Sequence, residues 1–176
     1  FYRVQDKKLS VKTIPQQEEG PVAEVQTVPL LDSLEKKENV GRVLTADARN
    51  SLEEAYQLAR KSGQAHVGPL HVFLGALSSP GVSLLFMRLG LSFDQMKGAL
   101  RRRLGTLPQG NAQFGAQAQE IVAKGLRNAV IHERPRLSSV ELFMESYNAD
   151  EFLQELLFSL EVERQALENA VMWIRI

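Results

Sequence analysis

The stretch LTADARNSLEEAYQLARKSGQAHVGPLHVFLGAL, residues 44–77, is written twice in this chain. Thr45, Ala48, Leu52, Ala55, Ala59, Gly63, Val67 and Leu74 are answered seventy residues later by Gly115, Ala118, Val122, Gly125, Ala129, Glu133, Leu137 and Met144. Past a one-residue slip, Leu89, Leu91, Met96 and Leu100 are answered at seventy-one by Leu160, Val162, Leu167 and Val171. A unit repeated at a fixed interval sets the architecture ahead of any single motif.

The unit is helical. Ala48, Leu52, Ala55 and Ala59 fall at i, i+4, i+7 and i+11, one face of a helix. Thr45 is a natural N-cap, Asp47 suits the positive end of the dipole, and Gly63 stops the helix. Gly68-Pro69 and Ser79-Pro80 open two more helices, each with proline where a missing N–H costs nothing. Ser92-Phe93-Asp94-Gln95 reads as a capping box for a fourth, with Met96, Leu100 and Leu104 turned inward. The second copy uses Ser138-Ser139-Val140-Glu141 to open its second helix and Asn148-Ala149-Asp150-Glu151 to open its third. Its fourth carries Val162, Leu167 and Val171. Ala55, Ala59, Gly125 and Ala129 predict close helix approach. Gly125 gives up about 1 kcal/mol of helix propensity, which packing space repays. The fold class is therefore all-α: a duplicated four-helix repeat, eight helices in two superposable halves, with no sheet in the repeats.

The boundaries follow. Repeat one is 44–105, a linker rich in glycine and proline is 105–113, and repeat two is 114–176. Residues 1–43 form a mostly irregular extension. Pro15, Gly20, Pro21 and Pro29, with Gln16, Gln17, Glu18 and Glu19, leave little apolar area to offset ordering entropy. Residues 22–28 suit a short strand or an extended stretch, and Asp32-Ser33-Leu34-Glu35 resembles a capped helix start that Gly41 ends. Arg3, Lys7, Lys8 and Lys12 read as a solvated linker; a membrane helix lying upstream is the other reading. A start at Phe1 and an apolar end at Trp173-Ile174-Arg175-Ile176 suggest a piece of a longer protein.

Composition removes several chemistries. The chain has 176 residues, 21 Lys/Arg against 21 Asp/Glu, and no cysteine. A disulfide framework and a thiolate metal site are excluded. A reducing, cytoplasmic setting fits, with membrane association as the variant that an upstream segment would bring. Residues 44–105 hold eight Lys/Arg and four Asp/Glu, and residues 106–176 hold six and ten. Opposite charge either helps the halves associate or makes the second half an acidic docking face. No G-x-x-x-x-G-K-[ST] phosphate cradle occurs, nor H-E-x-x-H, nor G-x-S-x-G. His66, His71 and His132 are not spaced as metal ligands. His71 reads as a packed or hydrogen-bonded residue near the start of the second helix, and Phe86 and Met87 read as core, with a partner-facing patch as the other reading. Arg101-Arg102-Arg103 ends a helix, where positive charge complements the dipole, so nucleic acid is not an expected partner. No catalytic, cofactor or metal residue is assigned, and a small helical hydrolase is the least favoured class.

Residues 44–77 with LLFMRLGLSFDQMKGAL (84–100) closely resemble the first repeat of the Clp N-terminal domain. FGAQAQEIVAKGLRNAV (114–130) through SLEVERQALENAV (159–171) looks like a degenerate second copy, so the likeness covers about 44–174. The resemblance implies eight helices with pseudo-two-fold symmetry, tethered to an AAA+ unfoldase of the Clp/Hsp100 class. It implies a platform that docks adaptor proteins and unfolded or tagged substrates. ATP and magnesium would belong to an ATPase module outside this chain, in the same or another polypeptide. The alternative is a stand-alone or membrane-tethered accessory protein that binds such an unfoldase or its protease. Members of the family that read phosphorylated arginine carry G-T-E-H in each repeat, with the glutamate facing the guanidinium. Here those segments are Gly68-Pro69-Leu70-His71 and Ser138-Ser139-Val140-Glu141. Leu70 and Val140 stand in the glutamate slots and cannot make charge-assisted bonds to a guanidinium. Thr45 matches the family's threonine, and its counterpart is Gly115. Thr45, Leu70 and Val140 are therefore the candidate partner-binding residues, with Leu70 and Val140 expected as solvent-facing apolar spots.

Overall fold

The computed structural model describes residues 42–105 and 111–174. The expected strand at 22–28, the helix start at 32–35 and the tip of the linker lie outside the described residues. Among the described residues there are eight helices: α1 Ala46–Lys61, α2 Pro69–Leu77, α3 Pro80–Arg88, α4 Phe93–Leu104, α5 Ala116–Ile131, α6 Ser139–Ala149, α7 Glu151–Ser159 and α8 Arg164–Ile174. No single one of them is long and apolar enough to cross a membrane.

Helix starts sit where side-chain acceptors were placed in the sequence. Thr45, Ser79, Ser92 and Asp150 each accept from the backbone N–H three residues on, at 3.3 to 3.4 Å. The Asn148–Glu151 quartet thus acts through its third member. In α2, His71 Nδ1 accepts from the Gly68 N–H at 3.1 Å; in α6, Glu141 Oε2 accepts from the Ser138 N–H at 2.9 Å. His71 and Glu141 are the same slot of the repeat, so two chemistries close the same capping box. Val162 does not ride on α8; it is buried in the turn before Arg164.

The expectation of no sheet needs a small correction. β1 (His66–Val67) pairs in parallel with β2 (Gln113–Phe114), and Leu44 bridges Leu137 in the same sense. Val67 and Leu137 are equivalent slots, as are Leu44 and Phe114. Both pairings are thus one contact made twice: the residues leading into the first helix of each repeat pair with those leading into the second helix of the other. The bonds are Thr45 N–H to Leu137 C=O (2.9 Å), Leu137 N–H to Val43 C=O (2.8 Å), Gln113 N–H to Ala65 C=O (3.0 Å) and Gly115 N–H to Val67 C=O (3.2 Å). A helix begins just beyond every pairing, which keeps it too short for apolar alternation to reveal it.

The pseudo-two-fold axis passes between α2 and α6. Phe73 and Phe143, equivalent residues, meet at 4.5 Å between ring centroids. Phe86 packs edge-on against Phe143 at 5.9 Å. α2 is buried throughout except for Leu70, which is half-buried, as suits a central helix apolar on nearly all sides. Ala55, Ala59 and Ala129 are fully buried. Met87, expected in the core beside Phe86, is 69% exposed.

The glycines show how each repeat packs its first helix on its second. A Cβ on Gly75 would lie 2.1 Å from the Ser51 carbonyl oxygen, a backbone atom of α1. A Cβ on Gly125 would lie 2.6 Å from Leu137 Cδ1, the mobile tip of a side chain. Gly75→Ala is therefore expected to lower stability by about 2–3 kcal/mol through overpacking. Gly125→Ala should stay within about 1 kcal/mol of the parent, because gained helix propensity offsets the displaced leucine tip. Urea unfolding of both variants checks the contrast; equal losses would contradict it.

Two groups make stability depend on pH. Burial raises the Asp47 pKa, but bonds from the Ser139 hydroxyl (2.5 Å) and the Ser139 N–H (3.3 Å), with the Thr45 hydroxyl dipole nearby, outweigh it, and the carboxylate sits below its ordinary 3.8. Burial lowers the His71 pKa below 6.5; its Nε2 has no partner. Both folded values are depressed, so each contribution is complete above the unfolded pKa and is lost as pH falls through the folded value. Asp47→Ala should cost about 1 kcal/mol at pH 7, with the gap from the parent closing only below pH 3.8. His71→Gln, which keeps a capping acceptor, should flatten the stability loss that the parent shows as acidification passes below 6.5. Urea midpoints measured across pH test both.

Candidate functional site

A cleft of about 560 Å³ opens where the two repeats are stitched together, lined by Thr45, Arg134, Pro135, Arg136, Ser138, Val140 and Ile174. α1 contributes its cap, the segment before α6 contributes the arginines, and the end of α8 contributes Ile174. Thr45 and Val140, chosen from the sequence, meet here. Leu70 does not line it; it occupies the equivalent place on the other side of the axis.

The hydroxyls in the cleft are already engaged. Thr45 Oγ1 donates to the Leu137 carbonyl at 3.0 Å and accepts from Ala48 N–H at 3.3 Å. Thr45 therefore works first as a cap and a cross-repeat clasp. The Ser138 hydroxyl donates to Glu141 and accepts from the Val140 N–H at 3.3 Å. Val140 is only 4% exposed and stands against Gly81, whose Cβ would come within 3.0 Å of Val140 Cγ2. The expected solvent-facing spot at Val140 is thus largely closed, because the first turn of α3 packs on it. Leu70 keeps partial exposure while packing on the core.

The sequence reading passed over the arginines. Arg134 Nη1 pairs with Glu141 Oε1, and Glu141 is 1% exposed. Glu141 stands one residue after the slot where a recognition glutamate would lie. Its carboxylate is held beneath the cleft by Ser138 and Arg134, so the chain supplies its own guanidinium to it. Arg134 Nη2 is buried without a partner, while Arg134 as a whole keeps 23% of its side chain exposed. Arg136 is exposed and makes no ion pair or hydrogen bond among the described residues. The available signal was Arg134-Pro135-Arg136 standing just ahead of a capping box, where the first repeat has Gln64-Ala65-His66. Among the described residues no cluster of His, Asp and Glu is built to hold a metal ion.

A second surface lies on α3 and α8. Leu84, Met87, Met172 and Trp173 are 48%, 69%, 64% and 53% exposed, and Arg88 sits over the Trp173 ring at 4.4 Å. The opposite junction repeats the device, with Arg103 over Phe152 at 5.3 Å.

Comparison with solved structures returns the same fold. The N-terminal domain of Hsp104 from Candida albicans superposes with a TM-score of 0.66 at 14% identity, over 75% of this chain and 91% of that one. The N-domain of ClpV from Vibrio cholerae gives 0.62 at 19% identity, over 85% and 89%. A ClpV N-domain in complex with a VipB peptide gives 0.62 at 21% identity, over 77% and 88%. No curated protein gives a significant match to the sequence. The profile described as the Clp repeat (R) N-terminal domain matches residues 43–170, well over half the chain, and the duplicated helices it spans are those described above. The chain belongs to the Clp N-terminal domain family.

Proposed function

We propose that this chain is the docking domain of a Clp-type unfoldase: it captures adaptor proteins and unfolded or tagged substrates and presents them to an AAA+ module. The observation that carries the reading is the cleft between the stitched repeats, floored by Val140, Pro135 and Ile174 and rimmed by arginines. A concave, mostly apolar site with a few polar groups is the form that recognition sites take. A related N-domain, that of ClpV, forms a complex with a VipB peptide, which supports a peptide-like occupant here. The domain acts by holding its partner; ATP and magnesium serve an ATPase module in the same or another polypeptide. Phosphoarginine is a poor fit, because the carboxylate nearest the cleft is already paired with Arg134.

The test is fluorescence anisotropy of labelled, permanently unfolded casein titrated with the 176-residue chain. Saturable binding that a folded, size-matched control protein does not show is the expected result. Equal signals from casein and the folded control would remove the docking reading.

A further inference from the structure

We infer that the cleft selects peptide segments carrying an Asp or Glu side chain next to an apolar one, and disfavours segments carrying a Lys or Arg there. This rests on the docking reading above and names the chemistry of the docked segment.

The charges in the cleft decide it. Glu141 is buried and its oxygens are occupied by Ser138 N–H, the Ser138 hydroxyl and Arg134. It therefore offers nothing to an incoming cation. Asp47, the other nearby carboxylate, is taken by Ser139 through both its hydroxyl and its N–H. Thr45 and Ser138 spend their hydroxyl protons on Leu137 and Glu141. What remains for a ligand is cationic: the exposed, unpaired Arg136 at the cleft, backed by the positive charge of Arg134, whose Nη1 is held by Glu141 and whose Nη2 is buried. A guanidinium approaching this wall meets like charge. A carboxylate meets planar donors suited to bidentate pairing. Pro135 and Ile174, with the small exposed edge of Val140, supply the apolar wall that an adjacent Leu or Val side chain would cover. A volume of about 560 Å³ admits two or three side chains of a peptide.

The experiment uses C-terminally amidated, fluorescein-labelled peptides of one Leu/Val-rich sequence, carrying at its centre Glu, Gln or Lys. A fourth peptide carries Gln with a free terminal carboxylate. Each is titrated into the 176-residue chain and into Arg136→Gln, an exposed change that leaves the Arg134–Glu141 pair intact. Circular dichroism confirms the fold of the variant. The Glu peptide is expected to bind about tenfold tighter than the Gln peptide. That advantage should shrink with added salt and largely vanish in Arg136→Gln. Equal affinity for Glu and Gln peptides overturns the inference, as does tighter binding of the Lys peptide, or binding of the free-carboxylate peptide alone. If casein still binds while Glu and Gln are not distinguished, docking stands and the acidic preference falls. If neither casein nor any peptide binds, the docking reading has failed first.

Discussion

Everything in this domain depends on a reciprocal backbone clasp. The chain entering the first helix of one repeat bonds in parallel to the chain entering the second helix of the other, at Thr45–Leu137 on one side and Gly115–Val67 on the other. The clasp ties the helix starts of each repeat to those of the other through backbone bonds. It also fixes the axis that brings Phe73 against Phe143. Because the clasp sits at two helix starts, the side chains of those starts converge, and the cleft forms there. On one side, Asp47 adds side-chain bonds to the clasp by holding Ser139, 92 residues away. The equivalent of Ser139 is Pro69, which has no N–H to offer, and the equivalent of Asp47 is Gln117. The two halves therefore share a backbone but not a set of partners.

The same divergence runs through the core. In the first repeat the close approach is allowed by Gly75 on the second helix, against Ser51 and Ala55 of the first. In the second repeat the slot of Gly75 holds Glu145, and the slot of Ala55 holds Gly125. The glycine has moved to the other helix of the pair. That move makes room for the stem of Glu145, whose carboxylate accepts from Asn128 Nδ2 at 2.6 Å. Buried carboxylates need such partners, and α6 carries two, each with its own: Asn128 for Glu145 and Arg134 for Glu141. The first repeat meets the same positions with glycine and a histidine kept neutral by burial.

Much of this was legible because duplication supplies its own alignment. Helix number, order and caps follow from apolar spacing and from Ser, Thr, Asp and Gly-Pro at the starts. Helix ends were harder to read in the second half. Gly63 and Gly90 take left-handed backbone at helix ends, and their counterparts Glu133 and Glu161 take it too, at φ 57° and 61°. A glutamate in that conformation gives no local signal and costs about 1–2 kcal/mol. The parallel clasp was invisible because a two-residue pairing shows no alternation. In the site, slot matching found Thr45 and Val140 but could not tell that one hydroxyl was spent and the other side chain covered. Arg134 and Arg136 were passed over because an arginine beside a proline reads as an ordinary loop until its neighbours are known.

The cleft turns on where one carboxylate stands. One residue earlier, Val140 packs against Gly81 and shows the cleft only a small edge. Glu141 lies on the inward side of the same turn and closes the capping box. Once buried it requires a cation, and Arg134 provides one from the loop seven residues before it. That pairing places a guanidinium at the wall of the cleft, and Arg136, two residues on, extends the positive charge to the rim. The acid at position 141 thus closes a helix cap and anchors Arg134, and guanidinium groups rather than a free carboxylate line the cleft above the backbone clasp.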